Sequence, residues 1–177
     1  IQHVLDRADV SYVLFLDDDD SLLPNHVKNL VQALEVAPEA GVAYSDSSFV
    51  VCDPENRPLP EHEPGRLDQP FTHDDLCREI PRPNHSFLIR KELLVQDRFD
   101  EALEVSEDWN LWTRLSCRTR FVHAPGLTAE YRVRTDGSNT ITGQSAACQR
   151  DVAVNRARNS IFGPMSRRSR STPRIRS

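Results

Sequence analysis

Ser11-Tyr12-Val13-Leu14-Phe15-Leu16-Asp17-Asp18-Asp19-Asp20 decides how the rest of the chain is read. A short apolar run rich in aromatic and branched residues predicts a strand buried on both faces, here over Tyr12 to Leu16. It runs straight into four carboxylates, and the carboxyl ends of strands are where open α/β sheets place their ligands. Adjacent like charges repel strongly, so a cluster that is even partly buried calls for a cation. A donor set made only of oxygens suits a hard divalent ion, Mg²⁺ or Mn²⁺. Strand alternation would turn Asp17 and Asp19 to one face and Asp18 and Asp20 to the other. An Asp-x-Asp metal site at Asp17 and Asp19 is therefore one expectation. An acidic turn capping the next helix is the other, and this stretch alone does not choose between them.

At 177 residues, 38% of them hydrophobic, the chain can build one domain with a real core. No run reaches the length of a membrane span, and no secretory signal pattern opens the chain. It begins with Ile1 and its single methionine is Met165, so it reads as a piece of a longer protein cut at its amino end. Cys52, Cys77, Cys117 and Cys148 form no Cys-x-x-Cys pair, which predicts thiols in a reducing, cytoplasmic setting and no zinc site. The net charge of −5 hides an asymmetry, because residues 150–177 carry eight arginines and one aspartate. An acidic body with a basic tail does not suit nucleic acid. The tail reads as a solvated, disordered end, with peripheral contact to anionic lipid as its other use.

Along the chain, residues 1–9 read as the end of a helix. Pro24 opens a second helix, whose apolar stripe is Val27, Leu30, Val31 and Leu34, and Pro38 ends it. Short strands are expected over Gly41 to Tyr44 and Ser48 to Cys52, with Ser45-Asp46-Ser47 as a turn between them. Residues 53–70 read as a surface loop, and Thr72 as the cap of a short helix reaching Ile80. Ser86 to Ile89 reads as extended and Lys91 to Val95 as a short helix. Strands follow over Phe121 to His123 and Leu127 to Val133, separated by a Pro125-Gly126 turn. His26 and His123 read as partly buried scaffold. Residues 144–161 read as a further helix.

The second acidic site is Ser106-Glu107-Asp108-Trp109, with Ser106 as helix N-cap. Asp108 falls on the stripe of Leu111, Trp112 and Leu115, whereas Glu107 lines up with Asn110 and Arg114. A carboxylate on the inward face of a helix is costly unless it is used. The plain alternative is that both acids complement the helix dipole. Arg132 and Arg134 close the last expected strand, where they could face a diphosphate or be ordinary surface charge.

Taken together these blocks resemble the family 2 glycosyltransferases of GT-A fold. Tyr12 to Asp20 followed by Pro24 looks like their Asp-x-Asp region. Phe99-Asp100-Glu101 and then Ser106 to Leu115 look like their Glu-Asp motif. Tyr131-Arg132-Val133-Arg134, with Ser138 and Asn139, is similar to the segment after it. The resemblance implies a mixed α/β sheet flanked by helices, lacking the first nucleotide-binding strand and helix. Residues 1–140 would be the carboxyl-terminal part of that domain, 141–163 a helical extension and 164–177 the basic tail. It further implies a nucleotide-diphospho-sugar donor, Mn²⁺ or Mg²⁺, and inversion at the anomeric carbon. The acceptor would be a glycan, a lipid or a small molecule.

On matching positions, Asp17 and Asp19 would sit at ribose and metal, with Asp18, Arg132 and Arg134 on the donor. Asp108 would be the general base, and Glu107, Trp109 and His85 would orient it or touch the acceptor. The family's frequent histidine near position 134 is replaced by Arg134, which leaves the third metal ligand open. Two rival readings stand beside this one. The first is a non-catalytic nucleotide-sugar-binding remnant. The second is a haloacid-dehalogenase-type phosphatase with Asp17 as nucleophile, which would need a well-placed lysine where only Lys28 and Lys91 exist.

Overall fold

The computed structural model describes residues 6, 7, 9–79, 81–103 and 106–138. The expected helix at the amino end falls mostly outside them, and the expected helix over 144–161 and the basic tail fall wholly outside them. In chain order the elements are β1 (Tyr12–Leu14), β2 (Ser21–Leu22), α1 (His26–Val36), β3 (Ala40–Cys52) and β4 (Gly65–Leu67). They continue with α2 (His73–Leu76), a 3-10 turn (Asn84–Ser86), β5 (Phe87–Arg90), α3 (Lys91–Gln96), α4 (Glu107–Ser116) and β6 (Arg120–Arg134).

The strands form one mixed sheet in the order β1-β5-β3-β6-β2. Among the described residues only the β3–β6 pair is parallel. β6 runs along one whole edge of β3, while β5 takes the first half of the other edge and β4 the second. This explains why β3 is buried along its first eight residues and less so near Phe49.

Period-two alternation sends successive side chains to opposite faces, and both faces are covered. Val42, Tyr44, Phe87 and Ile89 pack with Leu111, Trp112 and Leu115 of α4. Ala40, Ala43 and Leu88 pack instead against Leu30 and Leu34 of α1. On α1 the buried stripe is headed by His26, while Val27 is 48% exposed, because the helix starts at His26 rather than Pro24.

Several expectations change at the level of elements, among them the loop expected over residues 53–70, which carries β4. β1 stops at Leu14 and, among the described residues, pairs only with β5, so it is an outer strand with a single buried residue, Val13. The two short strands expected around Ser45-Asp46-Ser47 are one strand, and so are those expected on either side of Pro125-Gly126. The parallel pairing supplies the reason. The ladder passes from Ala124 opposite Ser45 to Leu127 opposite Asp46, so Pro125 and Gly126 form a bulge rather than a turn. Gly126, at φ 133°, takes a backbone angle that side chains disfavour, and its N–H donates to Asp46 Oδ2 at 2.7 Å. By contrast, Thr72 caps α2 in a reciprocal box with Asp75, although the helix ends at Leu76.

Candidate active site

The acidic run is not strand. It forms a turn after β1, in which the Asp20 N–H donates to the Asp17 carbonyl at 3.3 Å. Strand alternation therefore does not govern where these carboxylates point; three anchors do. Asp20 Oδ1 accepts the Arg132 N–H of β6 at 2.9 Å. Asp20 Oδ2 lies 2.8 Å from His85 Nδ1, close although not aligned as a hydrogen bond, and both side chains are almost completely buried. Asn56 Nδ2 donates to the Asp19 carbonyl at 2.8 Å. With Asp20 turned inward, Asp17 and Asp18 stay exposed and Asp19 half-buried. Partial burial pushes the Asp17 carboxyl up, with the charges of Asp20 and Asp19 adding to it and His85 opposing it.

Asp108 sits in the first turn of α4. Ser106 occupies the N-cap position but has a left-handed φ of 57° and makes no capping bond. The Asp108 Oδ1 instead accepts the Trp109 N–H at 2.7 Å. Burial first, then the charges of Glu107 and Asp17, push the Asp108 carboxyl up to about 6. Trp109 points elsewhere: its Nε1–H donates to the Leu76 carbonyl at 2.5 Å, tying α4 to α2.

Asp17 and Asp108 line one cleft of about 360 Å³. Phe49 of β3 and Tyr131 of β6 also line it, their ring centroids 5.9 Å apart at 60°. Pro81, Pro83 and Asn84 contribute from the loop before β5. A second, more open recess of about 440 Å³ is bounded by Phe15, Leu16, Phe99 and Glu107, and it shares Asp17 and Asn84 with the first. The Tyr131 hydroxyl is pushed up by burial and then by Asp20, Asp19, Asp17 and Asp108, so both acidic segments converge on that ring.

The remaining candidates are placed differently. Arg132 and Arg134 alternate with Tyr131 along β6, which directs them to the other face of the sheet, and neither lines the cleft. Arg132 pairs with Glu130 at 2.9 Å, and Arg134 donates to Ser138 Oγ at 3.4 Å. His85 lies beneath the acidic turn as the neighbour of Asp20, and its carbonyl lies 3.0 Å from His26 Nε2. His26 is fully buried, and His123 stacks on Tyr44 with ring centroids 4.8 Å apart. Lys28 is exposed on α1 and Lys91 donates to the Arg7 carbonyl; neither lines the cleft, where the phosphatase reading requires a lysine.

Four residues of the site were not read from the sequence. The sequence assigns Phe49 no role, and Tyr131 none beyond opening a motif segment, because the pairing that joins them is nonlocal. Arg82 is 4% exposed and spent on the carbonyls of Ser45, Pro81 and Gln69, at 3.3, 2.7 and 2.6 Å. Asn84 adjoins the flagged His85, but nothing local shows that its Oδ1 is buried without a hydrogen-bond partner.

No protein-family model matches the sequence, and no curated protein matches it. Among solved structures the chain is similar to S. aureus TarS 1-349 in complex with UDP, with a TM-score of 0.54 at 15% identity. The match covers 91% of this chain and 50% of that one, so the chain spans about half the length of that structure. The fold is thus a glycosyltransferase-like mixed α/β domain, with a curled sheet between helical layers. No helix among the described residues is long and apolar enough to cross a membrane.

Proposed function

We propose that this chain is the carboxyl-terminal part of an inverting glycosyltransferase that moves a sugar from a nucleotide-diphosphate donor to an acceptor hydroxyl. One observation carries the reading: Asp17 and Asp108, from separate elements, line the same cleft. Sugar transfer with inversion needs the leaving group and the base on opposite sides of one carbon, and two carboxylate sites on separate elements supply such a pair. UDP in the similar structure supports a nucleotide-linked donor.

Asp108 is the base. A carboxyl held near 6 is mostly ionised at neutral pH, yet it binds a proton more firmly than an ordinary aspartate. It takes the acceptor hydroxyl proton as that oxygen bonds to the anomeric carbon. The bond from that carbon to the diphosphate oxygen breaks, and the electron pair leaves with the nucleoside diphosphate. Glu107 bounds the neighbouring recess and Asp17 stands between the two; on this reading the donor takes the Glu107 side and the acceptor the Asp108 side.

Among the described residues no group of three His, Cys, Asp or Glu side chains is arranged to hold a metal ion. Asp17 and Asp19 are two oxygen donors in a cluster whose like charges already disfavour ionisation of Asp17. Such a pair fits Mn²⁺ or Mg²⁺ completed by diphosphate oxygens and water. A divalent ion there would offset charge growing on the departing diphosphate.

The test uses the full-length protein with UDP-linked sugars. Asp108→Asn is expected to lower transfer about a thousandfold while UDP affinity stays within about twofold. Full turnover by that variant would remove Asp108 from the mechanism. UDP binding without transfer by the wild type would favour the non-catalytic remnant.

A further inference from the structure

Resting on that reading, we propose that the acceptor taken beside Asp108 is an uncharged sugar ring seated on Tyr131 and Phe49, and that phosphate-bearing acceptors are disfavoured there. The first reason is surface. Tyr131 and Phe49 are half-buried neighbours across the β3–β6 pair, and both line the cleft. Aromatic faces of this kind present a negative π-surface to the weakly positive C–H groups on one side of a pyranose. Leu67 and Pro83 extend the apolar wall around them.

The second reason is charge. Asp17, Asp108 and Arg82 are the charged side chains among the described residues that line this cleft. Arg82 is buried, donates to three carbonyls and has Asp46 Oδ1 3.7 Å from its Nη2, so it offers no fork to an anion. A phosphate on the acceptor side of the cleft would face the Asp108 carboxylate, and the only cationic side chain among the described lining residues, Arg82, is already spent. Hydroxyl groups meet the opposite situation. The Asp108 carboxylate accepts hydrogen bonds, and Asn84 Oδ1 of the same lining is buried with no partner. A neutral polyol with one apolar face satisfies rings, carboxylate and amide together.

The experiment measures transfer by the full-length protein to p-nitrophenyl glycosides and to the matching sugar 6-phosphates, together with UDP release from the donor. Neutral glycosides are expected to be preferred by roughly tenfold or more in kcat/KM. Tyr131→Ala should raise the KM for neutral glycosides roughly tenfold with kcat much less affected, and Tyr131→Phe should restore it. Phe49→Leu is the second variant, expected to shift acceptor KM in the same direction should Tyr131→Ala fail to fold. Equal or better use of the phosphates, or undisturbed acceptor KM in Tyr131→Ala and Phe49→Leu, would overturn the proposal. UDP release with no such discrimination defeats this inference and leaves the transferase reading standing. No UDP release from any donor defeats both.

Discussion

Burial pushes the Asp108 carboxyl up to about 6, and the charges of Glu107 and Asp17 add to the effect. Two consequences belong to this residue. Only the ionised form can take a proton, so transfer should climb about tenfold per pH unit up to about 6 and then level off. A profile with no break in that region, measured as kcat/KM with a neutral acceptor, would reject Asp108 as the base. The second consequence is energetic. An acid held above its unfolded value of 3.8 binds its proton more tightly folded than unfolded. The folded state therefore gains stability as pH falls through about 6, and the gain is complete below 3.8. At neutral pH the same carboxylate destabilises the fold, by up to about 3 kcal/mol. Asp108→Asn keeps the acceptor for the Trp109 N–H and removes the buried charge. It is expected to raise the melting temperature at neutral pH while lowering transfer about a thousandfold. A lower melting temperature would show that the burial costs less than the lost interactions.

Among elements, the parallel β3–β6 pair sets the floor of the cleft, and its irregular point is held by Asp46. That residue, read as a turn residue, is 6% exposed inside β3. Its two oxygens lie 2.7 Å from His123 Nε2 and from the Gly126 nitrogen in the β6 bulge. Arg82, whose loop walls the cleft, lies 3.7 Å away. Asp46→Ala would leave an orphaned N–H and a buried guanidinium without its counter-charge, a loss of about 3 kcal/mol in chemical denaturation. Glu39→Ala should be silent, because the Glu39–Arg120 pair is over half exposed on both sides. Equal losses in the two variants would mean that Asp46 is only surface charge.

At the scale of the molecule, two faces of one acidic region are divided between two recesses, and Asp17 and Asn84 belong to both. Among the described residues no group of three His, Cys, Asp or Glu could hold a metal ion, so on the proposed reading metal and nucleotide should depend on each other. In calorimetry on the full-length protein, Mn²⁺ is expected to bind weakly alone and about tenfold or more tightly with UDP, and UDP likewise with Mn²⁺. Asp19→Ala should remove this coupling. Strong Mn²⁺ binding without nucleotide would point to a third protein ligand.

The sequence by itself determined what depends on neighbours along the chain. The apolar spacing of Leu30 and Leu34, the Thr72–Asp75 box, the β5 strand and the two acidic segments all carry local patterns, and each appears where the pattern lies. Only the tertiary structure decided which carboxylates turn outward. Asp20 is drawn inside by an N–H and an imidazole from distant segments, so Asp17 is left at the cleft and Arg132 at the back. It also decided that Phe49 meets Tyr131 and that Asp46 lies inside a strand, because strand register is set by pairing between segments far apart in the chain. Local chemistry named the acids; long-range hydrogen bonds and packing chose among them.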